Sequence, residues 1–203
     1  MSCIIHNIEQ GTPEWKQLRC GLFTCSNLKD LFMGKSTKGY SDAITKIAYE
    51  KMTGELTPET YQNDAMRRGT ELEPEARLWY EMETFNKVHQ VGFIQPNDEL
   101  KDWCGYSPDG LISTNGLLEI KCPLYNTHIS YLLDKKLPSN YFYQVHGGLY
   151  MSEREYLDFV SYHPTLPKFQ MRIERDEKVI KDIKEKLLES IEAVEKIMKR
   201  ITQ

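Results

Sequence analysis

The hydrophobic pattern of this sequence changes twice along the chain, and each change narrows the set of folds open to it. Residues 1–86 have mostly helical signals, residues 87–175 contain short stretches typical of strands, and residues 176–203 return to helical spacing. In this last segment apolar side chains recur every three or four positions, from Val179 to Ile201. We therefore predict a single mixed α/β domain whose C-terminal helix lies on the rest of the domain.

Residues that favour helix ends divide the N-terminal part. Thr12 precedes a proline and predicts the start of a helix, and Ser26 predicts the start of a short second one. Ser41 is the expected N-cap of a third helix, which Gly54 ends. In the following helical stretch Pro74 has no N–H to donate, so we expect a break or a new start just before it.

Composition excludes several classes of protein. With 40% hydrophobic and 28% charged residues, and no apolar run near the ~20 residues that span a bilayer, the chain is expected to be soluble and not a membrane protein. The N-terminal stretch MSCIIHNIEQG lacks the basic start of a secretory signal, so the cytoplasm is the expected compartment.

The five cysteines form no CxxC pair and predict reduced thiols, not a disulfide frame or zinc site. A net charge of −4 still permits a local basic surface for nucleic acid.

The stretch YSPDGLISTNGLLEIKCP, residues 106–123, predicts a hairpin with an unusual strand. Side chains alternate along a strand, so Leu118 and Ile120 share one face and Glu119 and Lys121 share the other. The apolar pair is expected to face the core. A charged pair on the second face of a central strand needs a functional explanation.

The register of this hairpin decides which side chains meet. An ideal two-residue turn at Asn115-Gly116 would place Asp109 opposite Cys122, on the wrong face. A loop centred on Thr114, or a bulge at Gly110, would instead place Asp109 across from Glu119, with Cβ atoms about 4.5–5.5 Å apart. We predict this second register.

Two carboxylates at that separation repel unless a proton or a cation lies between them. Mg²⁺ suits such a pair, because it takes oxygen ligands, keeps several waters and completes its shell with substrate phosphate oxygens. Lys121 could then hold an attacking water or stabilise charge on the phosphate. The alternative is a surface hairpin, in which Glu119 and Lys121 form a weak exposed pair and Asp109 belongs to a turn. The spacing alone leaves both interpretations open.

Several ordered blocks extend this pattern from about Ile8 to the C-terminus. SPDG followed by LEIKCP resembles the PD-(D/E)xK nuclease signature, and the whole chain resembles the phage lambda exonuclease family, the YqaJ-like viral recombinases. The blocks that carry the resemblance are Trp15 with LRCG, TCS at 24–26, RGTELEPEA at 68–76, SPDG, LEIKCP, the region of Gln144, and IERDEK at 173–178.

The resemblance implies a restriction-endonuclease-like core, with a central mixed sheet flanked by helices, that degrades double-stranded DNA from its ends in the 5′ to 3′ direction. Asp109 and Glu119 would be ligands of Mg²⁺, for which Mn²⁺ could substitute, together with the backbone carbonyl of Ile120. Lys121 would orient or activate the water. A ring-shaped homotrimer and a single-strand annealing protein as recombination partner are also implied.

The resemblance assigns four further residues, and each has an ordinary structural alternative. Glu73 corresponds to an additional carboxylate near the metal, although Glu75 is close by and a first-turn acid is the simpler interpretation. Gln144 corresponds to a residue that supports the catalytic cluster, or it is a buried side chain bonded to the backbone. Arg19 and Ser26 correspond to positions that engage a DNA 5′-phosphate, or they are a surface arginine and a helix cap.

The same sequence features are compatible with other functions. An endonuclease could use the same core, and a catalytically silent DNA-binding or scaffold protein could keep the fold. A nuclease with an iron–sulfur cluster is disfavoured, because no cysteine follows Cys122 to supply C-terminal ligands.

Overall fold

The computed structural model of the protein describes residues 3–58 and 64–203. In chain order the strands are β1 Ile4–His6, β2 Phe23–Thr24, β3 Val88–His89, β4 Phe93–Gln95, β5 Cys104–Gly105, β6 Gly110–Ile112, β7 Gly116–Lys121, β8 Tyr156–Ser161 and β9 Phe169–Glu174. The helices are α1 Pro13–Leu18, α2 Leu28–Leu31, α3 Lys38–Thr53, α4 Asp64–Thr84, α5 Tyr125–Asp134, α6 Phe142–Ser152 and α7 Glu177–Thr202, with 3-10 turns at Cys25–Asn27 and Ser139–Tyr141.

The central sheet has five strands in the order β3-β6-β7-β8-β9. Its neighbours are antiparallel except β7 and β8, which run parallel and are joined through α5 and α6. A parallel pair needs such a crossover, because the chain must return to the edge where the first strand began. Two small sheets, β1 with β4 and β2 with β5, lie outside it. The predicted mixed sheet flanked by helices is therefore confirmed, although short strands also occur in the N-terminal part.

The register of the hairpin β6–β7 is the predicted one. Gly110 pairs with Leu118 and Ile112 pairs with Gly116, so Thr114 is the centre of the loop. The loop is therefore residues 113–115, and its first residue, Ser113, has a φ of 48°, in the left-handed region. Asn115-Gly116 does not form a two-residue turn. Continuing this register by one residue brings Asp109 opposite Glu119.

Strand β7 lies between two hydrophobic clusters. Leu117 faces the cluster that includes α3, α6 and α7, whereas Leu118 and Ile120 face the cluster formed with α4. Glu119 is only 2% exposed, so the charged face of this strand is covered as well. A strand buried on both faces is typical of the centre of a mixed sheet.

The helix ends confirm part of the sequence prediction. Thr12 accepts a hydrogen bond from the Trp15 N–H at 3.3 Å, and Gly54 ends α3 in the left-handed conformation that glycine adopts without strain. The prediction for Ser41 is wrong, because Thr37 caps α3 and the Ser41 N–H already donates within the helix, to the Thr37 carbonyl.

Two other predictions about helices are wrong. Ser26 does not open a helix: it lies in a 3-10 turn, and α2 begins at Leu28. Pro74 does not break α4, which continues through it over 21 residues. One missing N–H bond is a small loss beside the packing of this helix, which buries Ala76 and Tyr80 completely.

The C-terminal helix is as predicted. The Asp176 side chain caps α7, accepting from the N–H groups of Lys178 and Val179. Ile183, Leu187 and Val194 of this helix are fully buried on the side that faces the rest of the chain. Across the described ranges, no helix combines the length and apolar character that crossing a bilayer requires.

Candidate active site

The carboxylate of Glu119 lies at the centre of a hydrogen-bonded cluster near the end of β7. Its Oε1 accepts from the ammonium of Lys121 and from the side-chain amide of Gln144 on α6. Its Oε2 accepts from the hydroxyl of Tyr106 at 2.7 Å. Both carboxylate oxygens are thus held by donors from three parts of the chain, which fixes the side chain in one orientation.

Asp109 lies beside this cluster, one residue before the start of β6. Its Oδ2 accepts from the backbone N–H of Ile120 at 2.6 Å, in the place that a β6 carbonyl would otherwise fill. Within an extended strand the N–H and C=O of one residue point the same way, so the Ile120 carbonyl also faces the Asp109 side. The next carbonyl, that of Lys121, faces β8 instead and accepts from Tyr162 at 2.8 Å.

The electrostatics of the cluster follow from burial and from the excess of carboxylates. Burial, followed by the negative charge of Glu119, raises the pKa of Asp109 well above its usual range. Burial alone would lower the pKa of Lys121, but the charges of Glu119 and Asp109 outweigh it and raise that pKa. Lys121 is therefore a cation here, with its ammonium 5.2 Å from the centre of the Tyr141 ring.

The two acids of α4 that flank Pro74, Glu73 and Glu75, point to different surroundings. Glu73 pairs with Arg77, and its pKa is raised first by burial and then by Glu119, against the lowering effect of Arg77. Gln90, with its amide oxygen turned toward Arg77, accepts from both terminal nitrogens of that guanidinium at 3.1 and 3.0 Å. Glu75 is exposed and instead accepts from the Tyr162 hydroxyl at 2.5 Å. Glu73 is thus the acid of this pair that feels the charge of the central cluster.

Arg19 lies against the segment that leads to Asp109. Its guanidinium donates to the Ser107 hydroxyl at 2.6 Å and stacks over the Trp15 ring at 4.0 Å. Burial raises the pKa of Cys25 well above its usual range, and the nearby positive charge of Arg19 is one of the smaller effects that oppose this. Ser26 follows Cys25 in the 3-10 turn, and its exposed hydroxyl is 3.2 Å from that of Thr24.

The donor set fits a hard divalent cation with few protein ligands. Within residues 3–58 and 64–203, no group of three or more His, Cys, Asp or Glu side chains is arranged as a complete metal site. Asp109 and Glu119 do place two carboxylates against a single ammonium, and burial, followed by the charge of Glu119, raises the pKa of Asp109. A carboxylate pair completed by water and substrate oxygens is the donor set that Mg²⁺ prefers.

Sequence reasoning missed three residues of this region. Tyr106 was not assigned a role, although a tyrosine that precedes a strand of the core needs a partner for its hydroxyl when it is buried. Arg77, four residues after Glu73, could have been found from the helical i, i+4 spacing of opposite charges. Ser107, the partner of Arg19, gave no such signal, because its contact spans 88 positions of the chain.

Comparisons with known proteins agree with this geometry. A family model, the YqaJ-like viral recombinase domain, matches residues 14–155. The alkaline exonuclease LHK-Exo of Laribacter hongkongensis is 34% identical, and the match covers 94% of this chain and 96% of that chain with a TM-score of 0.85. A structure of LHK-Exo in complex with dAMP gives the same identity and coverage and a TM-score of 0.86.

A more distant structure has the same fold. A phage-related exonuclease from Haemophilus somnus 129PT is 16% identical, with a TM-score of 0.67 over 92% of this chain and 99% of that chain. No curated protein matches the sequence significantly.

Proposed function

Since the chain belongs to the YqaJ-like viral recombinase family and is a DNA nuclease of the lambda exonuclease type, we propose that it degrades double-stranded DNA from its ends in the 5′ to 3′ direction. The observation that carries the proposal is the set formed by Asp109, just before β6, and by Glu119 and Lys121 near the end of β7, in which the Glu119 carboxylate is buried. The relative LHK-Exo is an alkaline exonuclease, and dAMP, which one of its structures contains, is the kind of mononucleotide that such digestion releases.

The proposed cofactor is Mg²⁺, with Mn²⁺ as a substitute. Asp109, Glu119 and the Ile120 carbonyl would hold it, with Glu73 as an additional carboxylate. When bound, such an ion supplies Lewis-acid activation of water and charge stabilisation at the scissile phosphate. The arrangement of the three proposed ligands at one end of β7 supports this assignment, because the hydrogen bond between Asp109 and the Ile120 N–H fixes their relative positions.

Lys121 and Gln144 complete the proposed catalytic set. Lys121 carries a positive charge at the site, so it can orient the attacking water and stabilise the negative charge that develops on the phosphate. Gln144 donates to Glu119 and limits the rotation of that carboxylate. Phosphodiester hydrolysis needs little covalent chemistry from the protein, so positioning and charge account for the catalysis.

The proposed site for the 5′-phosphate is the Arg19 guanidinium, together with the Ser26 hydroxyl. The contact of Arg19 with Ser107, two residues before Asp109, supports it, because a phosphate there would lie next to the cleavage site. Arg19→Ala should slow digestion of 5′-phosphorylated ends more than that of 5′-hydroxyl ends. An equal loss on both duplexes would argue against this site.

We also propose that the whole chain, residues 1–203, acts as one nuclease domain and that three copies form a ring. Two separate groups of exposed apolar side chains support the ring, one near the end of α4 and one on α5. Two different patches on each copy are what a closed head-to-tail assembly requires. The groups are Leu78, Met82 and Phe85, and Tyr125, Ile129 and Leu133. Light scattering should give three times the 23.8 kDa of one chain, and a mass near 23.8 kDa would contradict the ring.

The biological role proposed is homologous recombination of the phage type in the cytoplasm, of the host cell if the gene is carried by a phage. An exonuclease of this polarity leaves 3′ single strands, which a single-strand annealing protein would pair. Copurification of such a protein from the cell would test the partnership.

The decisive experiment compares an end-labelled linear duplex with a closed circular duplex, each with and without Mg²⁺. We expect digestion of the linear duplex only, with label released from the 5′ end and only when Mg²⁺ is present. Cutting of the circle would favour an endonuclease. Absence of cutting in every arm would leave a non-catalytic DNA-binding or scaffold protein.

A further inference from the structure

Tyr106 contacts the central carboxylate from the side of the protein interior. The residue is 1% exposed, and its hydroxyl donates to Oε2 of Glu119 at 2.7 Å. The other oxygen, Oε1, accepts from Lys121 and Gln144. The carboxylate therefore has an inner oxygen, held by Tyr106, and an outer oxygen on the side of the lysine.

The phenol of Tyr106 is itself held rigidly. Its backbone exchanges two hydrogen bonds with Ile94, with N···O distances of 2.7 and 2.8 Å. Helix α6 comes close enough to contact the ring because residue 148 is glycine: a Cβ there would lie 2.8 Å from the nearest ring carbon. The hydroxyl has little freedom to move away from Glu119.

We propose that Tyr106 is a positioning residue for the metal site, holding the inner oxygen of Glu119 so that the outer oxygen stays in one orientation, on the side of Lys121. This inference rests on the proposed function, because it assumes that Glu119 is a metal ligand. Partners of this kind are expected to change metal affinity, since a ligating carboxylate that can rotate must be ordered when the ion binds. Removing such a partner typically weakens metal binding about 10–100-fold.

The chain provides a matched control in Tyr80. Tyr80 is also fully buried, and its hydroxyl donates to a buried carboxylate, that of Asp158, at 2.6 Å. Asp158 is not among the proposed ligands. Tyr106→Phe and Tyr80→Phe therefore remove the same atom from similar surroundings, and only one of them touches the proposed site.

The experiment is calorimetric titration of Mn²⁺ into the full-length protein without DNA, with thermal unfolding and nuclease assays on the same samples. Tyr106→Phe should bind Mn²⁺ about 10–100-fold more weakly than wild type, and its activity should recover at high Mn²⁺. Tyr80→Phe should bind Mn²⁺ within about twofold of wild type, although both variants lose thermal stability.

Wild-type Mn²⁺ affinity in Tyr106→Phe would overturn the inference, and so would an equal loss in Tyr80→Phe, which would indicate general destabilisation. If wild type digests DNA but binds Mn²⁺ no better than Asp109→Ala, the assignment of the metal ligands is wrong. The inference about Tyr106 then fails, whereas the proposed nuclease activity stands. If wild type neither binds Mn²⁺ nor digests DNA, the proposed function fails, and this inference falls with it.

A second pair of variants tests the same point if Tyr106→Phe does not fold. Gly148→Ala adds a methyl group against the Tyr106 ring, whereas Gly69→Ala adds one on α4 with nothing within 4 Å. Only Gly148→Ala should weaken Mn²⁺ binding, because it displaces the phenol and keeps the hydroxyl. Equal Mn²⁺ affinities in these two variants would overturn the inference.

Discussion

Two buried carboxylates on neighbouring parallel strands are held in almost the same way, and they differ in one respect. Glu119 on β7 accepts from the Tyr106 hydroxyl at 2.7 Å and pairs with Lys121. Asp158 on β8 accepts from the Tyr80 hydroxyl at 2.6 Å and pairs with an arginine. Each is 2% exposed or less. Each thus combines a buried acid, a buried phenol and a cation.

The difference lies in the balance of charge. Asp158 has the guanidinium of Arg172 to itself, in two parallel hydrogen bonds of 2.8 and 2.9 Å. Glu119 must share Lys121 with Asp109, so two carboxylates face one ammonium. The balanced cluster stabilises the sheet without outside help. The unbalanced cluster, formed by Asp109, Glu119 and Lys121, has one more carboxylate than ammonium. The proposed divalent cation would neutralise this excess of negative charge.

The largest effect is expected from removing the cation of the unbalanced cluster. Lys121→Ala should lower the rate of DNA digestion by at least about 100-fold, because it removes a charge aimed at the reacting phosphate. Lys184→Ala is a matched control: Lys184 also pairs with a carboxylate, that of Asp98, and lies 5.2 Å from a tyrosine ring. The control should keep its rate within a few-fold of wild type. Similar losses in both variants would mean that the effect of Lys121 is structural.

A smaller effect is expected to separate Glu73 from Glu75, the two acids that flank Pro74 in α4. Glu73→Gln should lower the rate about 10–100-fold, because Glu73 is close enough to Glu119 for the pKa of Glu73 to be raised by it. Glu75→Gln should stay within about threefold of wild type, since an amide oxygen can still accept from the Tyr162 hydroxyl. Rates at saturating Mg²⁺ would measure the difference. The reverse order would transfer the role of additional carboxylate to Glu75.

The sequence predicted the central cluster better than its surroundings. Alternation along residues 117–121 and the hairpin register depend on local geometry, so both could be deduced from the residues, and both are confirmed. The continuation of α4 through Pro74 depends on tertiary packing, and the start of α3 depends on which of two nearby hydroxyls, Thr37 or Ser41, caps the helix. Local propensity could not decide these.

Hydrogen-bond partners that are far apart in the sequence could not be predicted for a related reason. Nothing near Asp158 in the sequence identifies Tyr80, 78 positions earlier, as its hydrogen-bond partner, and the same holds for Arg19 and Ser107. Helix α5 was missed because Tyr125, Ile129 and Leu133 are exposed apolar residues, which do not give the polar outer face of an ordinary surface helix. The family resemblance supplied the expected roles, and the structure supplied the contacts.

The balanced cluster should respond to mutation through stability. Arg172→Ala leaves the carboxylate of Asp158 buried without its cation, so the free energy of unfolding should fall by about 1–3 kcal/mol in urea denaturation. This is below the usual cost for a fully buried pair, because 47% of the Arg172 side chain is exposed. Digestion at temperatures well below unfolding should continue at the wild-type rate. A loss of activity without a loss of stability would link this cluster to the active site.

The unbalanced cluster should instead lower the free energy of unfolding when no metal is present. The pKa of Asp109 is raised in the folded state, so between its unfolded value of about 3.9 and the higher folded value the native protein binds more protons than the unfolded chain. Stability then falls as pH rises through this window and stays lower above it. Asp109→Asn removes this proton linkage and keeps an oxygen that can accept from the Ile120 N–H.

In EDTA, Asp109→Asn and wild type should therefore unfold with similar free energies at pH 4, and the variant should be more stable at pH 8 by about 1–2 kcal/mol. Mg²⁺ should reverse the order at pH 8, because ion at 100 times its Kd would stabilise wild type by about 2.7 kcal/mol and the variant by less. Urea denaturation with and without Mg²⁺ measures both differences. A constant gap between the two proteins at every pH would mean that neither burial nor the charge of Glu119 raises the pKa of Asp109, and the contrast with Asp158 would then need another cause.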